Sequence, residues 1–249
     1  MDKNILVVGG SSAIAVACAR EWIKRGANLN FMLAGRHATR LEAVAQDLRV
    51  RGASRVGTFV LDVNDFDQHR AMLDAVLADL GRIDIVLLAH GTLSDQAECE
   101  RDPQAAVREI TVNALSTIAL LTLLASVFEA QKSGSIAVIS SVAGDRGRPS
   151  NYVYGTAKAA VTTFCEGLRA RLFKSNVKVL TIKPGFVNTP MTAGLALPGP
   201  LVASPERVAT DIVRAVERGK DSIYTPWFWA EIMLVIRSLP GFVFKRISL

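Results

Sequence analysis

Tyr154 and Lys158, in the run Tyr154-Gly155-Thr156-Ala157-Lys158, have a spacing that permits acid–base chemistry. On a helix, residues four apart lie one above the other, so the Lys158 ammonium is expected beside the Tyr154 phenol. A free phenol ionises near pH about 10, and a neighbouring cation lowers that value by favouring the phenolate. The hydroxyl then exchanges its proton nearer neutral pH. Ser141 lies just beyond the apolar run of residues 136–139. A strand ending there sets its hydroxyl at the carboxyl edge of a sheet, where open α/β folds bind ligands. Tyr-x-x-x-Lys alone is met in many ordinary helices, as a solvated lysine beside a half-buried tyrosine. Here it accompanies a serine at a strand end, a glycine-rich turn near the start and an alternating strand and helix pattern, and the combination favours a functional reading.

The elements that must position these groups follow from the hydrophobic pattern. Residues 5–8 form a short apolar run, followed by Gly9-Gly10-Ser11-Ser12 and a helical stretch to about residue 25, which reads as strand, turn, helix. Further strands are expected over 28–34, 55–61, 83–89, 135–140, 177–182 and 222–225. Helices are expected over 40–50, 66–80, 103–130 and 205–218, with another carrying Tyr154. Strands alternating with helices at this spacing imply right-handed crossovers and an α/β Rossmann-type, doubly wound parallel sheet of about seven strands with helices on both faces. A chain of 249 residues fits one such domain. We assign 1–225 to it and 226–249 to an apolar C-terminal extension.

The first turn is suited to a dinucleotide pyrophosphate, which needs close approach of backbone amides and the partial positive charge of a helix N-terminus. Gly9, Gly10, Ser11 and Ser12 supply that turn. The second strand ends Leu33-Ala34-Gly35-Arg36. An NAD-selective site carries an acidic residue there for the ribose hydroxyls, whereas an arginine grips a 2′-phosphate, so NADP(H) is favoured over NAD(H).

In order and spacing these residues resemble the short-chain dehydrogenase/reductase superfamily over nearly the full chain. The resemblance implies that Tyr154 is the catalytic acid/base and that Lys158 lowers its pKa and holds the nicotinamide ribose. It implies that Ser141 hydrogen-bonds the substrate carbonyl, and that Asn113, in Val112-Asn113-Ala114, supports a proton-relay water. The family turn has glycines where this chain has Ala13 and Ala15, which flank Ile14 among the cofactor-binding positions. Asp62 and Val63 match the adenine contacts, and Ala89-His90-Gly91 stands where the family commonly has Asn-Ala-Gly. His90 is expected to be structural. The run from Lys183 through Pro184, Gly185 and Val187 to Thr189 resembles the loop that closes over the nicotinamide, with Thr189 at its carboxamide. The implied reaction is hydride transfer between C4 of the nicotinamide and a carbonyl or secondary alcohol carbon, with Tyr154 moving the proton.

Composition excludes other classes. The hydrophobic share of 50% suits buried parallel strands and their covering helices. The net charge of +6 comes from 29 basic and 23 acidic residues, scattered rather than gathered in a nucleic-acid stripe. Arg146 and Arg148 fall near the candidate site. Cys18, Cys99 and Cys165 are far apart, without disulfide or metal-ligand spacing, as packed or free thiols in a reducing compartment. Met1-Asp2-Lys3 leads directly into the first strand, leaving no room for a secretory signal. A cytoplasmic location is expected, with peripheral attachment at the inner membrane face as an alternative.

The tail holds Trp227, Phe228 and Trp229, then Leu239-Pro240-Gly241-Phe242-Val243-Phe244-Lys245-Arg246. Glu231, Arg237 and Pro240 interrupt it, so it falls short of the about 20 apolar residues of a spanning helix. Aromatic anchors with flanking cations suit a segment lying on a bilayer, while packing over the substrate pocket or against a partner subunit would use the same residues. Residues 191–202, with Leu195, Leu197 and Leu201, are expected to form an apolar lid. Lid and tail point to a hydrophobic or lipid-linked carbonyl substrate. The tail, together with Gly10-Ser11-Ser12-Ala13-Ile14 near the start, also resembles the subgroup containing polyprenylphosphoryl 2-keto-pentose reductases. A 3-oxoacyl reductase of fatty-acid type and a non-catalytic NADP-binding sensor or scaffold are the competing readings. The family habit of pairing through long helices implies a homodimer or homotetramer.

Overall fold

Buried Val, Ile and Leu runs form the strands of a seven-stranded parallel sheet, because a strand covered on both faces has no polar side to show. The computed structural model describes residues 2–26 and 28–247. Met1, at the head of the opening run, and Ser248 and Leu249, which end the expected tail, lie outside the described residues. In chain order the first half comprises β1 (Lys3–Val8), α1 (Ala13–Arg25), β2 (Leu29–Gly35), α2 (Ala38–Val50), β3 (Arg55–Val60), α3 (Asp67–Leu80), β4 (Ile85–Leu88), α4 (Gln96–Arg101) and α5 (Pro103–Ile110). The second half comprises α6 (Ser116–Gln131), β5 (Gly134–Ile139), α7 (Tyr152–Leu172), β6 (Val177–Pro184), β7 (Phe186–Val187), β8 (Val202–Ala203), α8 (Pro205–Glu217), β9 (Ser222–Thr225), α9 (Trp229–Ser238) and α10 (Gly241–Phe244). The strand order is β3-β2-β1-β4-β5-β6-β9, and it reverses direction between β1 and β4. Ligands bind at that crevice in doubly wound sheets, outside the carboxyl ends of the strands.

Alternation along each strand feeds two cores. Ile5, Val7, Phe31 and Leu33 face α1, α2 and α8. Leu6, Val8, Met32 and Ala34 face α3, α6 and α7. The period of 2 thus divides a continuous apolar run between the two faces of the sheet.

Three features depart from the sequence expectation. The helix expected over 103–130 runs continuously over Pro103–Gln131, but with a π turn, Thr111–Leu115, inside it between α5 and α6. The turn carries Asn113; π turns widen a helix by one residue and collect at functional sites. Secondly, β7 and β8 pair as a separate two-stranded sheet after Gly185, fixing both ends of the expected lid. Thirdly, the tail is helical in α9 and α10. Trp229, Met233 and Ile236 turn inward onto Val142, Phe186 and Leu201, while Trp227, Leu234, Val235 and Phe242 stay exposed. Arg146 fastens the end of α9: its guanidinium donates to the Ile236 carbonyl and, at 2.7 Å, to that of Leu239, and lies 3.8 Å from the Phe244 ring centroid.

Candidate active site

The catalytic and cofactor-binding residues expected from the sequence all line one cleft of about 400 Å³ at the carboxyl edge of the sheet, whereas Gly10, Arg146, Leu197 and Leu201 lie outside its lining. Gly9, Ser11, Ser12 and Ile14 line its floor between β1 and α1. Arg36, Asp62 and Val63 follow β2 and β3, and Ala89 and Gly91 follow β4. Asn113, Ser141, Tyr154 and Lys158 form the far wall, with Pro184, Gly185, Val187 and Thr189 beyond them.

The first turn is fixed by contact. Gly9 has φ +80°, and a Cβ on it would lie 2.5 Å from the His90 amide nitrogen, so the end of β4 passes too close for any side chain. Ser12 caps α1, its hydroxyl accepting from the Ala15 amide at 3.2 Å. The first amides of a helix have no intrahelical acceptor and remain available to an anion. Ala15 is buried in the core beneath the turn, so it keeps α1 close to the sheet, while Ala13 lines the cleft. The turn therefore fits a pyrophosphate despite the two alanines.

At the adenosine end Arg36 is exposed, and Arg40 and His37, which sequence reasoning missed, line the same rim. Neither arginine has an ion-pair partner among the described residues, and no acidic side chain stands at the end of β2. This donor set fits a phosphorylated ribose.

Tyr154 and Lys158 lie on the buried side of α7, which is positioned by Gly155: a Cβ there would lie 2.8 Å from the Ala143 carbonyl oxygen. Gly144 meets the α7 backbone just as closely, its hypothetical Cβ 2.7 Å from the Lys158 carbonyl carbon. Ser141, the cap of the turn after β5, accepts from the Ala143 amide at 3.1 Å and lines the cleft beside the Tyr154 phenol, whose ionised form it favours. Lys158 Nζ donates to the Ile139 carbonyl at 3.2 Å and sits 5.6 Å from the Tyr154 ring centroid.

The electrostatics differ from the expectation that Lys158 holds the phenol near neutral pH. Burial pushes the Tyr154 pKa up to about 12, opposed by the Ser141 hydroxyl, raised further by Glu109 and lowered by Arg148. Burial also pushes Lys158 down to about 8, while Glu109 supports its charge. The physical reason is that desolvation disfavours the charged form of both groups and outweighs their proximity. The phenol is thus protonated across the neutral range.

Asn113 is fully buried. Its Oδ1 accepts from the Thr92 amide at 3.2 Å and its Nδ2 donates to Glu109 Oε1 at 2.9 Å. Glu109 Oε2 in turn accepts from Thr92 at 2.7 Å and Ser94 at 2.5 Å. Glu109, four residues before Asn113 on the same helical run, is the member of this network that sequence reasoning missed; the i, i+4 spacing was its only signal. His90 Nε2 lies 3.0 Å from Ser116 Oγ and 3.1 Å from Thr117 Oγ1, joining the end of β4 to α6. Burial pushes its pKa down to about 3, so the ring is neutral.

The arrangement offers an anion-receiving turn, a hydroxyl pair and a buried ammonium on one cleft, the equipment for a nicotinamide-linked carbonyl reaction. Residues 3–197 match the family model described as short chain dehydrogenase. The chain belongs to this family. An uncharacterized oxidoreductase of Mycobacterium tuberculosis is 38% identical over 97% of this chain and 96% of its own length. A 3-oxoacyl-[acyl-carrier-protein] reductase of Chlamydia muridarum is 29% identical over 84% of this chain and 88% of its own. A single-substitution variant of actinorhodin polyketide ketoreductase, solved with NADPH, shares the fold with a TM-score of 0.82 at 19% identity, over 91% of this chain and 97% of that one. As a short-chain dehydrogenase the protein is an NAD(P)-dependent oxidoreductase acting on CH–OH or C=O groups.

Proposed function

We propose that this short-chain dehydrogenase is a cytoplasmic NADPH-dependent reductase that converts a ketone on a hydrophobic or lipid-linked substrate to a secondary alcohol. The protonated Tyr154 phenol, beside Ser141 on the cleft wall, carries this reading, because a reductase needs an acid at the carbonyl oxygen. A bound nicotinamide supplies the hydride. Ser141 Oγ and Tyr154 Oη hold the carbonyl oxygen, and Tyr154 Oη gives up its proton to it. Lys158 orients the ribose from its anchor on the Ile139 carbonyl and offers positive charge to the phenolate left behind. Asn113 fixes the loop at Thr92 and the carboxylate of Glu109 behind the acid.

The preference for NADPH rests on Arg36, just after β2, and Arg40, in the first turn of α2, neither ion-paired among the described residues, where no carboxylate of an NAD site follows β2. Apolar character of the substrate rests on Met191, Leu195, Leu93 and Val142, which line the cleft. The 29% identity to a 3-oxoacyl reductase keeps an acyl substrate as the second reading. Pairing into a homodimer or homotetramer would use the face of α5 to α7, where Val107 and Leu115 are exposed. Binding of NADPH and NADH, measured side by side by fluorescence titration, tests the cofactor assignment. NADPH is expected to bind more tightly, and Arg36→Ala to lose about tenfold or more of that preference, the scale of one charge-assisted contact to phosphate. Equal affinities in both proteins would refute it.

A further inference from the structure

Two arginines leave the turn after β5, and they are used differently. Arg146 is spent on the carbonyls that end α9 and on the Phe244 ring. Arg148 is only 8% exposed and lines the cleft beside Tyr154, and its side chain makes no hydrogen bond or ion pair among the described residues. Its Nε is buried without an acceptor, and Asn151 Oδ1, also on the cleft wall, is buried without a donor. The nearby carboxylate of Asp145 is already committed, accepting from Lys183 Nζ at 2.7 Å and Tyr224 Oη at 2.5 Å.

A buried guanidinium without a counter-charge is costly, and the cost is recovered when an anion reaches it. Arg146 shows that this turn can satisfy an arginine internally, which leaves Arg148 as the group held toward the cleft. Burial lowers its pKa, and the guanidinium lies within electrostatic reach of Tyr154, the proton donor. Carboxylates and phosphates match the planar fork of donors. The apolar side chains lining the same cleft, among them Met191, Leu195 and Val142, suit the remainder of such a ligand.

We infer that Arg148 is the anion-binding residue of the substrate subsite, and that the substrate is an amphiphilic ketone bearing a carboxylate or phosphate group. This deepens the reductase reading and rests on it for the ketone. The binding claim is tested without turnover. Octanoate, octyl phosphate and 1-octanol are titrated calorimetrically into the NADPH-loaded enzyme, wild type and Arg148→Met, with NADPH affinity measured for both. At least one anion is expected to bind about tenfold to a hundredfold more tightly than the alcohol, as one charge-assisted pair allows. Arg148→Met should erase that margin while binding NADPH as the wild type does, and Arg148→Lys should keep part of it. Tighter binding of octanoate assigns a carboxylate, and tighter binding of octyl phosphate a phosphate ester. Equal binding of anions and alcohol by the wild type, no binding of either anion at millimolar concentration, or survival of the margin in Arg148→Met would overturn the inference. So would loss of NADPH binding in Arg148→Met, which would assign the guanidinium to the cofactor. Failure of the reductase reading would show separately, as NADPH binding without carbonyl turnover.

Discussion

A single methyl group added at Gly185 should loosen the tail from the active site. The Cβ of an alanine there would lie 1.9 Å from two atoms of the Trp229 indole, Cε2 and Nε1. That indole is 3% exposed and packs edge-on against Phe186 at 5.2 Å between ring centroids. The ring must retreat by about 1.5 Å to regain ordinary carbon contact, and α9 begins at this residue. Overpacking of this kind costs about 1–3 kcal/mol. Removing the indole in Trp229→Ala costs about 3–5 kcal/mol through lost burial and a cavity. The two changes are not independent, because the vacated indole volume receives the added methyl. Urea unfolding of wild type, Gly185→Ala, Trp229→Ala and the double variant should therefore give a coupling of about 1–3 kcal/mol in favour of the double variant. Additivity to within about 0.5 kcal/mol would refute the contact, and with it the account of how the tail is seated.

Acid stability and the tail surface supply two more predictions. An unfolded histidine binds a proton below pH 6.5, whereas folded His90 stays neutral until about pH 3, so its contribution is whole above 6.5 and is lost as the pH falls. His90→Ala should therefore lower the slope of unfolding free energy against pH, by about 2–3 kcal/mol accumulated between pH 6.5 and about 4.5; an unchanged slope would show the imidazole to be titrating freely. On the tail, Trp227 and Leu234 are 63% and 70% exposed, with Lys245 and Arg246 close by in sequence. Replacing both apolar residues by Ser should abolish co-sedimentation with anionic lipid vesicles if the tail rests on a bilayer; a wild type that stays in the supernatant would refute that placement.

Much of this site was legible because its signals are local. Tyr154 and Lys158 share a helix face, Ser141 follows an apolar strand, and the Gly9 turn lies between a strand and a helix. The less legible parts depend on contacts distant in sequence. Beyond its i, i+4 spacing to Asn113, nothing near Glu109 marks it as the carboxylate that takes Thr92, Ser94 and Asn113 together, since that network needs the loop after β4 to fold back on α5. The π turn at Asn113 leaves an uninterrupted apolar pattern, which reads as one helix. Trp229 looked like a membrane anchor as readily as a core residue, and only the glycine opposite it, 44 positions earlier, makes room for it. The pKa expectation for Tyr154 failed for a related reason: spacing reveals a neighbouring cation, but desolvation depends on everything packed around the pair.

The central claim is that Tyr154 is the proton donor of a nicotinamide-dependent reductase. Tyr154→Phe removes the donating hydroxyl and keeps the ring beside Lys158, so NADPH affinity should remain within about threefold of wild type while ketone-dependent NADPH oxidation falls by about 100-fold to 10,000-fold, the range of general acid catalysis. Turnover retained at the wild-type rate would contradict it.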